Sequence, residues 1–376
     1  MSNFLKIQFS KIRVDLVFLI FLFILILYGQ WILFSSSSIM AYHKKSDIFY
    51  YSNKQIVWHF IGLGLMFLFI FFPIRIYKKY YKFFIYITIL FLFLVFFPGI
   101  GKSVQYKDSF DFNRWIQFGW ISFQPSEFAK IGYLIYISYL LQNHPFSLKE
   151  QIRNYIPVLL IFLSLFLQPQ YGILILFFLV WIFLLLLKGF SIFRLIAFSL
   201  VSIPFFVFIT LFQPYRWERI QVWLDPYFFR FDKGYQLVMS FRAFSEGGLM
   251  GTNIAKSIAH RYLTYGHTDF IFSLLAESSG IIGTTFLISL YTFIYIRGFL
   301  LLKRIDEEFN FFLASGILFF FILQTIINLS VTTGLIPTTG IGLPFVSYGG
   351  SSLISYYILM GIFLNLTKKK DFRNES

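Results

Sequence analysis

Three stretches of this chain, Leu16–Phe34, Phe83–Phe97 and Phe311–Ile327, contain no charged residue. A helix crosses the hydrocarbon core of a bilayer on about 20 mostly apolar residues, whereas soluble domains are about a quarter charged. With 13% charged residues over 376 positions and a mean hydropathy of +0.73, the chain reads as an all-α polytopic membrane protein, one domain over 1–376. About ten spans are expected, near 14–34, 56–74, 82–99, 126–142, 155–168, 171–187, 192–213, 268–297, 309–330 and 346–366. Gln168-Pro169-Gln170 joins two of them as a tight pair. The 55 phenylalanines supply bulk and hydrophobicity, and no cofactor box is read into them.

Lysine and arginine set the expected orientation, because short cytoplasmic loops retain them. With both termini inside, the inner segments hold eighteen basic residues and the short outer loops six (Lys44, Lys45, Lys54, Lys102, Lys107, Arg114). Both ends are therefore expected in the cytoplasm, and the long 214–267 loop outside. The first apolar run lacks a small-residue cleavage site and reads as a retained span. The net charge of +15 is largely this inside bias and calls for no nucleic acid partner. The 214–267 loop adds seven basic residues against four acidic ones. Either it meets lipid headgroups or a phosphorylated lipid, or it is a solvated loop with incidental charge. Cysteine is absent and the five histidines are scattered, so there is no disulfide framework, thiolate site or HExxH pattern.

Ionisable groups within a bilayer are costly and usually functional. Glu127 and Lys130 open one expected span, after Gln124-Pro125. Proline followed by Glu in a first turn is an ordinary helix start. Lys130 needs a partner, and a spacing of three places it beside Glu127. Upstream, Arg114-Trp115-Ile116 has the composition of an interfacial anchor. Asp269, Ser273 and Glu277 recur in steps of four and are expected to form a polar stripe on one helix. A cap explains Thr268 or Asp269 but not Glu277. A partly desolvated carboxylate there suits a general base, with an ion pathway or structural pairing as the alternatives. Gly, Pro and Ser crowd the stretch 337–352, which predicts irregular backbone buried in protein or lining a cavity; close helix packing through small residues is the other reading.

Taken together, Arg114-Trp115-Ile116 through Gln124-Pro125-Ser126-Glu127, Gln168-Pro169, Leu224-Asp225-Pro226, Gly234-Tyr235-Gln236, Gly247-Gly248, His267-Thr268-Asp269-Phe270-Ile271-Phe272 and Pro344 through Ser352 resemble, in order and spacing, the SEDS family of shape, elongation, division and sporulation proteins. The resemblance runs from about residue 14 to 366. It implies a glycosyltransferase that polymerises lipid II at the outer face of the cytoplasmic membrane and releases undecaprenyl diphosphate. It maps the general base onto Asp269. Arg114, Trp115, Glu127, Lys130, Arg216, Arg219, Lys256, Arg261, His267, Glu277 and Ser347 become candidates for binding substrate. A divalent cation, Mg or Mn, is the candidate cofactor. A class B penicillin-binding protein, other division proteins and membrane lipids are the implied partners.

Pro98-Gly99-Ile100-Gly101, Trp217-Glu218-Arg219 and Val331-Thr332-Thr333-Gly334-Leu335-Ile336-Pro337 point to the division-type branch, acting at the septum, over the elongation-type branch. The chain departs from the family pattern at Gln170, where Asp is common, at Thr339, where division-type members often carry Lys, and at Ser278-Ser279. A flippase for a lipid-linked sugar is the competing class. It should carry charged or broken-helix features at the midplane, whereas the acids here gather at span ends.

Overall fold

The computed structural model describes residues 14–106, 109–119, 121–143, 148–197, 200, 214–252, 257–263 and 266–368. The helices are α1 (Leu16–Lys45), α2 (Tyr50–Phe71), α3 (Ile74–Lys79), α4 (Tyr81–Leu94), α5 (Pro125–Gln142), α6 (Leu148–Leu167), α7 (Tyr171–Leu187), α8 (Pro214–Leu224), α9 (Tyr235–Gly247), α10 (Ala259–Tyr262), α11 (Ile271–Leu302), α12 (Glu308–Thr332) and α13 (Gly350–Leu366). Among the described residues α1, α2, α11 and α12 are long and apolar enough to cross a membrane, and α4, 153–167, α7 and α13 are shorter apolar helices. Most of the expected span at 192–213 lies outside the described residues.

Local chemistry sets several of the boundaries. The Asp15 carboxylate accepts from Phe18 N at 3.0 Å and caps α1, and α5 starts on Pro125 with Glu127 in its first turn. α1 runs about three turns past its uncharged stretch, through a serine run that is largely buried, to His43-Lys44-Lys45 at its negative end. Thus Lys44 and Lys45, expected in a loop, belong to a helix.

α5 and α13 form the centre, with almost every side chain buried. Small residues let helices approach closely: a Cβ on Gly62 of α2 would fall 2.0 Å from the Tyr357 ring, and one on Gly132 of α5 would fall 2.6 Å from the Phe84 carbonyl. At one end of the bundle ion pairs tie helix ends together. Arg297 grips Asp15 with two hydrogen bonds of 3.0 and 2.7 Å, Lys78 meets Glu307 at 2.9 Å and Lys188 meets Glu308 at 3.0 Å.

The opposite end carries a feature that an all-α reading lacks. β1 (Gly101–Tyr106), β2 (Ser109–Phe118) and β3 (Ile121–Phe123) form an antiparallel sheet in the order β1-β2-β3, with Lys102 opposite Trp115 and Ile116 opposite both Gly101 and Phe123. Its signal is the alternation Phe110-Asp111-Phe112-Asn113, a period of two. The sheet delivers the chain to Gln124, whose N–H donates to Ser351 Oγ at 3.2 Å on α13, so it fixes where α5 begins.

Candidate active site

Asp269 lies at the sheet end, in the turn ahead of α11 and outside that span. Phe270, at φ −113° and ψ 23°, is not helical, so the helix begins at Ile271. The stripe expected from steps of four therefore does not exist: Asp269 is not on the helix that carries Ser273 and Glu277. Ser273 turns back to donate to the Phe270 carbonyl at 2.7 Å.

The Asp269 segment is held from three sides. Asn328 of α12 donates to the Asp269 carbonyl at 2.9 Å and to the Ile341 carbonyl at 2.8 Å. Ser347 Oγ donates to the Thr268 carbonyl at 2.5 Å and accepts from Leu343 N at 2.8 Å. Tyr348 N donates to the His267 carbonyl at 3.0 Å. The irregular 337–349 stretch thus folds against Asp269 as the lining of a site. Gly340 takes φ +73°, a conformation that favours glycine, and a Cβ there would stand 3.7 Å from Asp269 Oδ2.

The carboxylate is half-buried. Burial pushes its pKa up to about 6, against the pull of the Arg219 guanidinium and a hydrogen bond from Thr268. Arg219 itself donates to the Thr338 carbonyl at 2.6 Å. His267 is buried between the rings of Tyr51 and Tyr348, at 4.6 and 5.6 Å. Burial first, then the charge of Lys44, hold its pKa down to about 4. It is a neutral packing element at pH 7.

Glu127 and Lys130 pair at 2.6 Å, as their spacing predicts, with the ammonium side chain only 1% exposed. Lys130 also lies 4.8 Å from the Tyr356 ring and 5.4 Å from that of Phe320, a cation–π environment suited to a desolvated ammonium. The pair lines a cavity of about 50 Å³ with Gln124, Gln324, Gly340 and Ile341. That holds a few waters and is too small for a sugar. Gly340 forms part of this cavity and also borders Asp269, so the two polar groups share one wall.

Two further candidates, Arg114 and Glu277, are tied into structural contacts. Arg114 donates to the carbonyls of Gln168 and Pro169, 3.1 Å each, and so holds the tight turn between α6 and α7. Trp115 lies half-buried in β2. Glu277 is completely buried; its carboxylate accepts from the N–H groups of Ile258, Ala259 and His260 at 2.8, 2.9 and 3.1 Å and from His260 Nδ1 at 2.6 Å. It caps α10. Arg261 is exposed on α10. The side chains of Arg216 and Lys256 lie outside the described residues.

Sequence reading missed Gln324 and Asn328. Their spacing of four on an apolar helix puts both on one face, and polar side chains within a span are the signal that would have found them. Gln324 donates to the Gly342 carbonyl at 3.2 Å and also bonds the Tyr356 hydroxyl. A second missed network surrounds Gln170: its carbonyl accepts from Gln124 Nε2 at 3.0 Å and Ser126 Oγ at 2.6 Å, while its amide donates to Gln168 at 2.7 Å. A neutral amide both accepts and donates here, which an ionised Asp cannot do.

The described residues hold no cation site built from protein carboxylates alone. Glu127 is occupied by Lys130, position 170 is an amide, and no group of three or more His, Asp or Glu side chains converges among the described residues.

The family model for FtsW, RodA and SpoVE cell cycle proteins matches residues 15–371. The chain belongs to the FtsW/RodA/SpoVE family. Its similarity extends to the probable peptidoglycan glycosyltransferase FtsW of Geobacter sulfurreducens, 33% identical over 95% of this chain and 96% of that one. Stage V sporulation protein E of Bacillus subtilis is 32% identical over 96% and 98%. Among solved structures, a chain of a peptidoglycan synthase complex that coordinates polymerization and crosslinking superposes with a TM-score of 0.78 at 25% identity, covering 94% of this chain and 98% of that one. The rod shape determining protein RodA of Thermus thermophilus shares the fold, with a TM-score of 0.69 at 23% identity over 94% and 97%. Membership in the FtsW/RodA/SpoVE family makes this a multi-pass membrane protein.

Proposed function

We propose that this protein is a division-type peptidoglycan glycosyltransferase that joins lipid II units with Asp269 as general base. The relatives named as peptidoglycan glycosyltransferases support the activity. The observation that carries the role of Asp269 is geometric: it is a half-buried carboxylate on a backbone turn that Asn328 and Ser347 brace, beside the glycine wall of a polar cavity. With a pKa of about 6 it is ionised at pH 7 and still basic enough to take a proton.

In the proposed step the 4-hydroxyl of one lipid-linked disaccharide attacks the anomeric carbon of the growing glycan. Asp269 accepts the hydroxyl proton, the new glycosidic C–O bond forms, and the anomeric C–O bond to the diphosphate breaks. Undecaprenyl diphosphate leaves with the bonding pair. Arg219, whose charge already acts on Asp269, stabilises the leaving diphosphate electrostatically.

The charge asymmetry supports ten spans with both termini in the cytoplasm, which puts the sheet end and Asp269 outside. The resemblance to the synthase-complex chain supports a cross-linking partner; on the division-type reading that partner is a class B penicillin-binding protein and the pair works at the septum. The test is to incubate purified protein and its cognate partner in liposomes with labelled lipid II. A ladder of glycan polymer supports this reading. Lipid II crossing leaflets with no polymer formed overturns it in favour of a flippase.

A further inference from the structure

The segment after α8 carries large aromatic side chains that the site does not use. Its backbone is fixed. Phe228 N donates to the Asp225 carboxylate at 3.1 Å, and the Phe229 carbonyl accepts from Asp232 N at 3.0 Å and from Gly234 N at 2.9 Å. A Cβ on Gly234 would fall 2.5 Å from the Pro226 carbonyl, so only glycine closes the turn this tightly. Lys233 reaches back to Glu218 at 2.7 Å and fastens the turn to α8. From this frame Tyr227, Phe228 and Phe231 project with 56, 78 and 88% of their surface exposed. The Arg230 guanidinium lies 4.8 Å over the Phe231 ring.

Two tethers set the level of this turn. Pro214 follows the apolar 192–213 run directly, and nine residues later Trp223 Nε1 donates to the Gly334 carbonyl at 2.8 Å, just past the end of α12. Midway, Arg219 is bound to the Thr338 carbonyl. Tied by Trp223 and Arg219 to the stretch just past the end of α12, α8 is held close to a span end. Phe228 is five residues beyond Trp223, a reach of at most about 17 Å.

We propose that the 225–234 turn is a membrane anchor, with Tyr227, Phe228 and Phe231 seated at the acyl–headgroup boundary of the leaflet at the sheet end and Arg230 among the lipid phosphates. Aromatic rings beside a cation at that depth are the composition that interfacial segments use. The turn's level at the span ends favours lipid over a protein as what covers it. The anchor holds α8, and with it Arg219, at the height of the bilayer surface. It does not depend on the polymerase reading, because the measurement below needs no activity.

The chain has no cysteine, so Phe231→Cys provides a single thiol for an environment-sensitive fluorophore. The labelled full chain would be reconstituted without partner into vesicles of phosphatidylethanolamine and phosphatidylglycerol. The expected result is a blue-shifted emission, quenched by nitroxide lipids labelled high on the acyl chain and shielded from aqueous iodide. Phe228→Cys should behave alike, and both rings are exposed enough to be replaced without disturbing the core. Iodide quenching at both positions with no nitroxide quenching overturns the anchor. So does shielding that appears only when a cross-linking partner is added, which would make the turn a protein contact.

Discussion

The side-chain amide of Asn328 joins two pieces of backbone, the Asp269 carbonyl at 2.9 Å and the Ile341 carbonyl at 2.8 Å, and so sets the distance between the carboxylate turn and the loop that faces it. Each hydrogen bond is worth about 1 kcal/mol net, and more where a carbonyl is left buried without a partner. Asn328→Leu should therefore insert normally but polymerise lipid II about tenfold to a hundredfold more slowly, at about 1.4 kcal/mol of barrier per factor of ten. Initial-rate assays beside a thermal melt check this. Unchanged turnover would mean that the contact is dispensable.

The Glu127–Lys130 pair gives a prediction that separates stability from activity. Removing one partner of a buried pair strands the other charge at a cost of about 3–5 kcal/mol. Glu127→Gln and Lys130→Met alone should each lower the melting temperature and the membrane yield. The double variant should recover much of both, while activity stays low because the polar wall of the cavity is lost. Recovery of activity together with stability would make the pair purely structural.

Glu277→Gln should act through the chain segment before Asp269. Its Oε1 can still accept from Ile258 and Ala259, but its NH2 would face the His260 N–H, leaving that buried donor unpaired at about 1–3 kcal/mol. The expected outcome is a lower melting temperature and faster proteolysis between residues 247 and 266. A stable, protected Gln variant would contradict the capping role.

The pH profile carries its own sign. Asp269 must be ionised to accept a proton, so the rate should fall as pH drops through about 6, tenfold per unit below it. Arg219 lowers that pKa, so Arg219→Gln should move the acid limb to higher pH as well as slow the reaction. A limb that stays in place would show that the guanidinium does not act on the carboxylate.

Much of the bundle was legible because hydrocarbon-spanning helices announce themselves by apolar length, and α7 begins and ends where its composition changes. The Glu127–Lys130 pair was legible for a similar reason, since one helical spacing decides it. The Asp269–Glu277 stripe failed because periodicity assumes a continuous helix. In fact α11 begins two residues after Asp269 and breaks at Gly280, where φ is 61°. There Gly248 and Leu249 of another segment supply carbonyls to the N–H groups of Ile281 and Ile282, at 3.0 and 3.2 Å. Such a long-range substitution of hydrogen-bond partners leaves no local pattern. The bracing by Asn328 was likewise hidden, because a polar residue in a span reveals that it needs a partner but not which one.

The most direct measurement is polymerisation of labelled lipid II by purified Asp269→Asn beside the wild type, each with the cross-linking partner. Asparagine keeps the shape and the backbone contacts to Asn328 and Ser347 but cannot accept the proton. The wild type should give a glycan ladder, and the variant should melt at the same temperature, bind lipid II and give none. A wild-type ladder from the well-folded variant would contradict Asp269 as the base.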